Sequence, residues 1–364
     1  MDRGVYTGMD MNKIAEQFAM EGKAVEVVPF GNGHINGTWK VETDTGRQYV
    51  LQRVNSTVFK DTDGLMNNFV AVTDWLRKKD PDPRHVLTLV PLKDGRKWLP
   101  EENGDCWRLV DMIGDSICLD LPECPADFEL IGEAFGHFQM LLSDFPAREL
   151  VETIPHFHDT PDRYRQLEEA IARDAAGRLK DVGPEVAFFR ARKADMAYVT
   201  DLLAAGKLPL RVTHNDTKTN NIMLDKDTKA PLCVLDLDTV MPGLAGNDFG
   251  ESIRYGASTA AEDEQDLSKV SMSLEMFEAY ARGFLKACGS QLTPLEKETL
   301  PMCARLMTME NGMRFLADHL NGDVYFSIHR PNQNLDRSRA QMKLVTEMEN
   351  KYEEMMRIIR ELDR

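Results

Sequence analysis

Basic residues are the minority charge in this sequence: 44 Lys plus Arg stand against 60 Asp plus Glu, for a formal net charge of −16. A surface of that sign repels nucleic-acid phosphates and anionic lipid heads, and no local basic patch offsets it, so neither is an expected partner. Long apolar runs are also missing, and nothing approaches the roughly 18 uncharged apolar residues of a membrane span. The opening run MDRGVYTGMDMNKIAEQF has no apolar signal core. Cysteine is scarce, with six in 364 residues, and none forms a Cys-x-x-Cys pair or has a His at metal-ligand spacing. No disulfide framework is expected, and the protein reads as cytoplasmic with reduced thiols. Internal repeats and low-complexity tracts are absent as well. What remains is an ordinary globular composition, 42% hydrophobic and 29% charged, long enough for two to three units of about 150 residues. Small molecules are the expected partners.

The first third alternates with the two-residue period of strands. Residues 24–30 (AVEVVPF) and 38–43 (TWKVET) flank the loop Gly31-Asn32-Gly33-His34-Ile35-Asn36-Gly37, and Asp44-Thr45-Gly46 turns the second strand into 47–54 (RQYVLQRV). A helix is predicted over 64–79, where Leu65, Phe69, Val72 and Leu76 recur at three- and four-residue spacing, and further strands over 86–91, 97–99 and 106–113. After Gly114 the pattern turns helical, over 128–144, 161–180, 185–205, 265–288, 293–320 and 336–362, with a β-like island at 210–213, 222–225 and 232–238. The expected class is α+β in two lobes. Residues 1–113 form a small antiparallel β lobe with one helix and residues 114–364 a larger, mainly helical lobe, joined at the Gly-containing stretch DMIGDS (111–116).

The island holds the densest polar constellation in the chain. Val212 to Leu224 reads VTHNDTKTNNIML, and Val234-Leu235-Asp236-Leu237-Asp238 follows after a turn. Apolar strands lead these polar residues into and out of a loop, which is how a preorganised site is built. Phosphoryl transfer needs hard oxygen ligands for Mg²⁺, a cation on the phosphate and an acceptor that orients the attacking hydroxyl. Asn221 and Asp236 suit the metal, Lys218 the γ-phosphate and Asp216 the hydroxyl as catalytic base. Asp238 is expected to share a strand face with Asp236 through the two-residue period. A plain polar turn has no need to combine all these types.

The spacing His214-x-Asp216-x-Lys218-x-x-Asn221, followed by Asp236, resembles the catalytic and metal-binding loops of the kinase-like phosphotransferases, which include aminoglycoside phosphotransferases, choline kinases and homoserine kinases. The resemblance runs over essentially the whole chain. Within that superfamily the runs PFGNGHINGTW (29–39), HFHDTPDRY (156–164), DLDTVMPG (236–243), DFGESIRYGAST (248–259) and GMRFLADHLNGDVYF (312–326) resemble the N-acetylhexosamine 1-kinase branch. The resemblance implies a two-lobe protein-kinase-like fold, ATP and Mg²⁺ as cofactors, and transfer to the anomeric hydroxyl of N-acetylglucosamine or N-acetylgalactosamine. It implies nucleotide contacts at Gly31, Asn32, Gly33 and Gln52 and at the hinge residues Asp111 and Ile113. Sugar contacts are implied at His34, Asn36, Asp216, Arg314 and Tyr325.

The glycine loop joins strand to strand, unlike the dinucleotide fingerprint, which leads into a helix. Gln52 stands where the protein-kinase pattern has an ATP-contacting Lys, and the helix at 64–79 offers no Glu to pair with one; an amide pair of Gln52 with Asn68 is the expected substitute. His156 and His158 are read as parts of a packed loop and Asp248 as a brace for the catalytic loop. The rival readings are a kinase of another small alcohol (choline, homoserine or an aminoglycoside) and a nucleotide-binding scaffold without catalysis. Retention of Asp216, Lys218, Asn221 and Asp236 argues against the scaffold.

Overall fold

The computed structural model describes residues 10–31 and 35–364, which divide into two compact units. One comprises the chain up to Ile117 with Glu149–Pro155 and Met223–Val240; the other comprises Cys118–Arg148, His156–Ile222 and Met241–Arg364.

In the first unit α1 (Met11–Ala15) precedes β1 (Ala24–Pro29), β2 (Gly37–Thr43), β3 (Gln48–Val54), α2 (Thr62–Lys79), β4 (Leu89–Val90), β5 (Leu99–Pro100), β6 (Cys106–Asp111) and β7 (Ser116–Ile117). The sheet runs β1-β2-β3-β6-β4 with β5 also on β6, and its pairings are antiparallel. Strict alternation along β2 turns Trp39, Val41 and Thr43 inward. Trp39 and Val41 meet Tyr49, Leu51, Trp107 and Leu109 in one core, with the rings of Trp39 and Trp107 5.3 Å apart. Helix α2 starts two residues before the predicted helix because the Asp61 carboxylate accepts from the Gly64 N–H.

The island is rearranged relative to expectation. Strand β8 (Arg211–Thr213) pairs with β11 (Met241–Gly243), while β9 (Ile222–Asp225) lies between β10 (Pro231–Val234) and β7. Strand β10 ends at Val234, so Asp236 and Asp238 share no strand face. Asp236 takes a left-handed backbone (φ 54°) and Leu237–Thr239 form a 3₁₀ turn, which breaks the pleat on which the two-residue period depends.

The second unit contains α3 (Pro125–Leu141), α4 (Thr160–Arg173), α5 (Gly183–Ala191), α6 (Tyr198–Ala204), α7 (Ala245–Gly256), α8 (Leu274–Cys288), α9 (Pro294–Asn321), α10 (Gln333–Asn350) and α11 (Tyr352–Leu362). Several predicted helices are shorter than their hydrophobic period. Helix α4 stops where Asp174 turns left-handed and its carboxylate accepts from the N–H groups of Arg178 and Leu179. A 3₁₀ turn at Lys193–Asp195 divides the predicted 185–205, and α8 begins only at Leu274, where Ser273 caps it. Helix α9 starts at a Thr293/Glu296 capping box and ends at Gly322, at φ 99°. Among the described residues no helix is long and apolar enough to cross a membrane.

Helix α7 has no counterpart in the sequence reading because its glycines resemble a loop. They serve close approach: a Cβ on Gly246 would lie 2.2 Å from Cys303 Sγ and one on Gly250 2.7 Å from the Cys303 carbonyl. Helices α3 and α8 meet in the same way. A Cβ on Gly283 would stand 2.0 Å from the Glu129 carbonyl and one on Gly132 2.4 Å from that of Tyr280. Gly283→Ala is therefore expected to force the helices apart and cost about 1–3 kcal/mol, the usual cost of overpacking. Urea denaturation of the variant would measure this, and an unchanged midpoint would refute the close packing.

Candidate functional site

The loop after β8 is held from inside the helical unit. His214 is fully buried, edge-on to Phe135 and Phe138 of α3. The Asp248 carboxylate, in the first turn of α7, accepts from the backbone N–H of His214 at 2.9 Å and of Asn215 at 2.7 Å, and from Gln139 Nε2 at 2.5 Å. Thr217 Oγ1 donates to the Asp248 carbonyl, and Ser252 Oγ donates to the Thr217 carbonyl. Burial raises the Asp248 carboxyl above the ordinary value against the opposing pull of His214 and the two N–H donors. Asp248 thus braces the 214–221 loop. Its donors hold Asn215 in the left-handed region, at φ 66°, where Asn is tolerated better than most residues.

Asp216, Lys218 and Asn221 come together beyond that brace. Lys218 Nζ lies 2.8 Å from Asp216 Oδ1. Asn221 Nδ2 donates to the Asp216 carbonyl at 2.8 Å and to Oδ2 at 3.3 Å, which leaves its Oδ1 as a hard oxygen donor. The Asp216 side chain keeps 23% of its exposure. Burial pushes its carboxyl up, but the Lys218 charge and hydrogen bond outweigh this and hold it below the ordinary 3.8. Lys218 is raised in turn, because Asp216 and Glu251 outweigh its own desolvation. Glu251 is paired with Arg254 and accepts from Asn311 Nδ2 at 3.3 Å, and Arg314 Nη1 donates to Asn311 Oδ1 at 3.3 Å. A polar chain therefore runs from Glu251 through Asn311 to Arg314.

The Arg314 guanidinium lies over three rings, those of Phe157, Tyr325 and Phe326, at 5.6, 5.8 and 5.2 Å. Asp318 makes no ion pair with it. Its carboxylate accepts from the N–H groups of Val324, Tyr325 and Phe326 at 3.0, 2.8 and 2.9 Å, shaping the turn that presents Tyr325, which is 57% exposed. One contact lay beyond the sequence reading. His158 Nε2 sits 3.0 Å from the Asn215 carbonyl and Nδ1 3.1 Å from Glu310 Oε2, and Thr160 Oγ1 donates to Glu310 Oε1 at 2.5 Å. The partners are 57 and 152 residues from His158, so local spacing carried no signal of them.

In the β unit Gly31 is left-handed, at φ 75°, while Asn32, Gly33 and His34 lie outside the described residues. Asn36 Nδ2 donates to Asp238 at 2.5 Å and its Oδ1 accepts from the Asn55 N–H at 3.0 Å, with a second amide N–H beyond these. One expectation is corrected. Gln52 makes no pair with Asn68. Its Oε1 accepts from Arg108 Nε at 2.9 Å and its Nε2 donates to Thr38, whereas Asn68 donates to the carbonyls of Val151 and Val240. The most deeply buried cation of the sheet is Arg108, opposite Gln52 in register. It is ion-paired with Asp238, both side chains 1% exposed, and it lies over the Phe69 ring. Burial raises the Asp111 carboxyl against the pull of Arg47, and Ile113 is 8% exposed. Asp236 is exposed at its left-handed position. Among the described residues no three His, Cys, Asp or Glu side chains gather as a metal cage.

An antiparallel sheet in one unit and, in the other, a helical unit with an Asp-x-Lys-x-x-Asn loop are the parts of a kinase-like phosphotransferase. Residues 26–283 match the model of the phosphotransferase enzyme family (APH), and the chain belongs to that family. Solved structures of similar fold include an amicoumacin kinase (13% identity, 96% of each chain, TM-score 0.62) and an ethanolamine kinase of Plasmodium vivax (15%, 93% of this chain and 85% of that one, 0.58). A microcompartment-associated aminopropanol kinase is similar too, at 15% identity over 95% of this chain and 97% of that one, with a TM-score of 0.57.

The sign of the Asp216 shift yields a test. With Lys218 in place the carboxylate stays ionised as pH falls to below 3.8. In Lys218→Met the upward push of burial loses its main opponent, so the carboxyl is expected to titrate at a higher pH, followed by carbon-13 NMR. A titration that does not move would remove Lys218 as the cause.

Proposed function

We propose that the protein transfers the γ-phosphoryl group of ATP, with Mg²⁺, to the anomeric hydroxyl of an N-acetylhexosamine, N-acetylglucosamine or N-acetylgalactosamine. The observation that carries the acceptor class is the Arg314 guanidinium on its three aromatic rings. Arg163 lies over Phe157 as well, and burial and the neighbouring Arg314 charge depress its pKa. An ammonium alcohol such as choline or ethanolamine is recognised by bare aromatic faces and carboxylates. Here the faces are taken by a guanidinium and the wall is positive. A neutral sugar suits it, because its hydroxyl and acetamido oxygens accept from the guanidinium N–H groups.

In this reading Asp216 orients the anomeric hydroxyl and takes its proton as the sugar oxygen bonds to the γ-phosphorus and the bond to the β–γ bridging oxygen breaks. Lys218 moves its charge from Asp216 to the γ-phosphate oxygens. Asn221 Oδ1 and the Asp236 carboxylate would hold Mg²⁺, which supplies neutralisation of phosphate charge; one carboxylate, one amide and substrate phosphates suit that ion. Gly31, Asn32 and Gly33 are assigned to the phosphates, and Asp111 and Ile113 to the nucleotide base. His34, Arg314 and Tyr325 are assigned to the sugar. Gln52 and Asn36 act indirectly, through Arg108 and Asp238.

Phosphorus NMR of product from MgATP and a panel of acceptors tests the reading, which expects a sugar 1-phosphate from N-acetylhexosamines and no product from choline or ethanolamine. The reverse pattern would refute the acceptor class. Asp216→Asn should lower kcat at least about 10²-fold, as loss of a positioned base does, with ATP binding retained in calorimetry. Arg314→Ala should cost about 2–4 kcal/mol in kcat/KM for the sugar and leave the KM for ATP nearly unchanged, since in this reading the lost contact to substrate serves the sugar and not the nucleotide. Equal losses for both substrates would place Arg314 in the scaffold.

A further inference from the structure

The contact between His158 and the Asn215 carbonyl joins a side chain with no assigned role to the peptide that aims the catalytic carboxylate. The His158 and Glu310 side chains are only 6% and 3% exposed. A carbonyl oxygen can only accept, so Nε2 at 3.0 Å from it carries a proton. Nδ1 lies 3.1 Å from Glu310 Oε2, while the other carboxylate oxygen accepts from Thr160. Each polar atom of this group has its partner, which a site buried this deeply requires. Asn215 is thereby held through both of its backbone groups: its N–H donates to Asp248 and its carbonyl accepts from His158. Asn215 itself sits at φ 66°, a conformation that persists only where neighbours over-determine it.

We infer that His158, oriented by Glu310 and Thr160, is a positioning residue for phosphoryl transfer that fixes the Asn215–Asp216 peptide and so the direction of the Asp216 carboxylate. The inference rests on the phosphotransfer reading above for its kinetic consequence, not for its structural one. Misaiming a general base weakens kcat without weakening substrate binding.

Two matched variants separate the halves of the contact. In His158→Gln the amide nitrogen occupies the place of Nε2 and still donates to the Asn215 carbonyl. In His158→Asn it occupies the place of Nδ1, and the donor to the carbonyl is lost. Expected for His158→Asn is a fall in kcat of at least about 10-fold with both KM values within about 2-fold, and for His158→Gln a kcat within about 3-fold of the parent. Hydrogen exchange of the peptide spanning 212–219, measured on the free protein, should accelerate in the Asn variant and not in the Gln variant. Equal kcat and equal exchange in the two variants would overturn the inference. Exchange needs no acceptor, so a parent protein inactive on N-acetylhexosamines would refute the proposed substrate while the exchange comparison still decides the role of His158. Glu310→Gln supplies a third check, because its amide can donate to Nδ1 and its carbonyl can accept from Thr160; its kcat should stay within about 3-fold of the parent, and a loss as large as that of His158→Asn would overturn the role given to Glu310.

Discussion

Two backbone N–H groups at the head of the catalytic loop, those of His214 and Asn215, point at one carboxylate that has no exposure to solvent. A charge so buried is tolerated only when hydrogen bonds replace its water, and Asp248 obtains them from this loop and from Gln139 of α3. The loop cannot leave without stranding the carboxylate, and the carboxylate cannot shift without releasing α3. Helix α3 is fixed against α8 by glycines whose missing Cβ atoms let the backbones touch, and α7, which carries Asp248, is fixed against α9 in the same manner. The helical packing is therefore what sets the position of Asp216.

The β unit rests on a second buried charge, the Arg108–Asp238 pair. Burying two ions costs several kcal/mol each unless their remaining hydrogen-bonding capacity is met. Here Arg108 donates to Gln52 as well and covers the Phe69 ring, and Asp238 also accepts from Asn36. That accounts for the Gln at position 52. A Lys there would set an ammonium beside a guanidinium and offer no acceptor to Arg108 Nε, whereas the amide oxygen of Gln supplies one. The departure at 52 follows from the cation having moved to the neighbouring strand, and it says nothing against catalysis.

What the sequence displayed and what it concealed divide along one line, the distance in sequence between partners. Asp216, Lys218 and Asn221 lie within six positions, and their loop is bounded by apolar strands, so both the constellation and its setting were legible. The β meander was legible too, because its alternation is local. Arg108 and Asp238 are 130 residues apart, and nothing near either one announces the other. The two-residue period failed at Asp236 because a left-handed backbone ended the strand, and α7 escaped notice because glycines selected for packing look like glycines selected for turns. His158 was legible as buried and illegible as a donor, since its acceptor is a backbone carbonyl that every residue possesses.

Helix α9 connects the loop to the acceptor wall. Glu310, Arg314 and Asp318 lie four apart and so project from one face. The first engages the histidine that reaches the Asn215 carbonyl, the second lies on the aromatic wall, and the third folds the turn that carries Tyr325 and Phe326. A helix advances about 1.5 Å per residue, so Glu310 and Arg314 are about 6 Å apart along one stiff rod. On the proposed function, an acceptor held by Arg314 is placed at a fixed offset from the loop that carries Asp216. Loss of one methylene or hydroxyl in the acceptor would shift its reacting oxygen relative to a base that cannot follow, so discrimination among small alcohols falls on alignment at the transition state more than on binding strength.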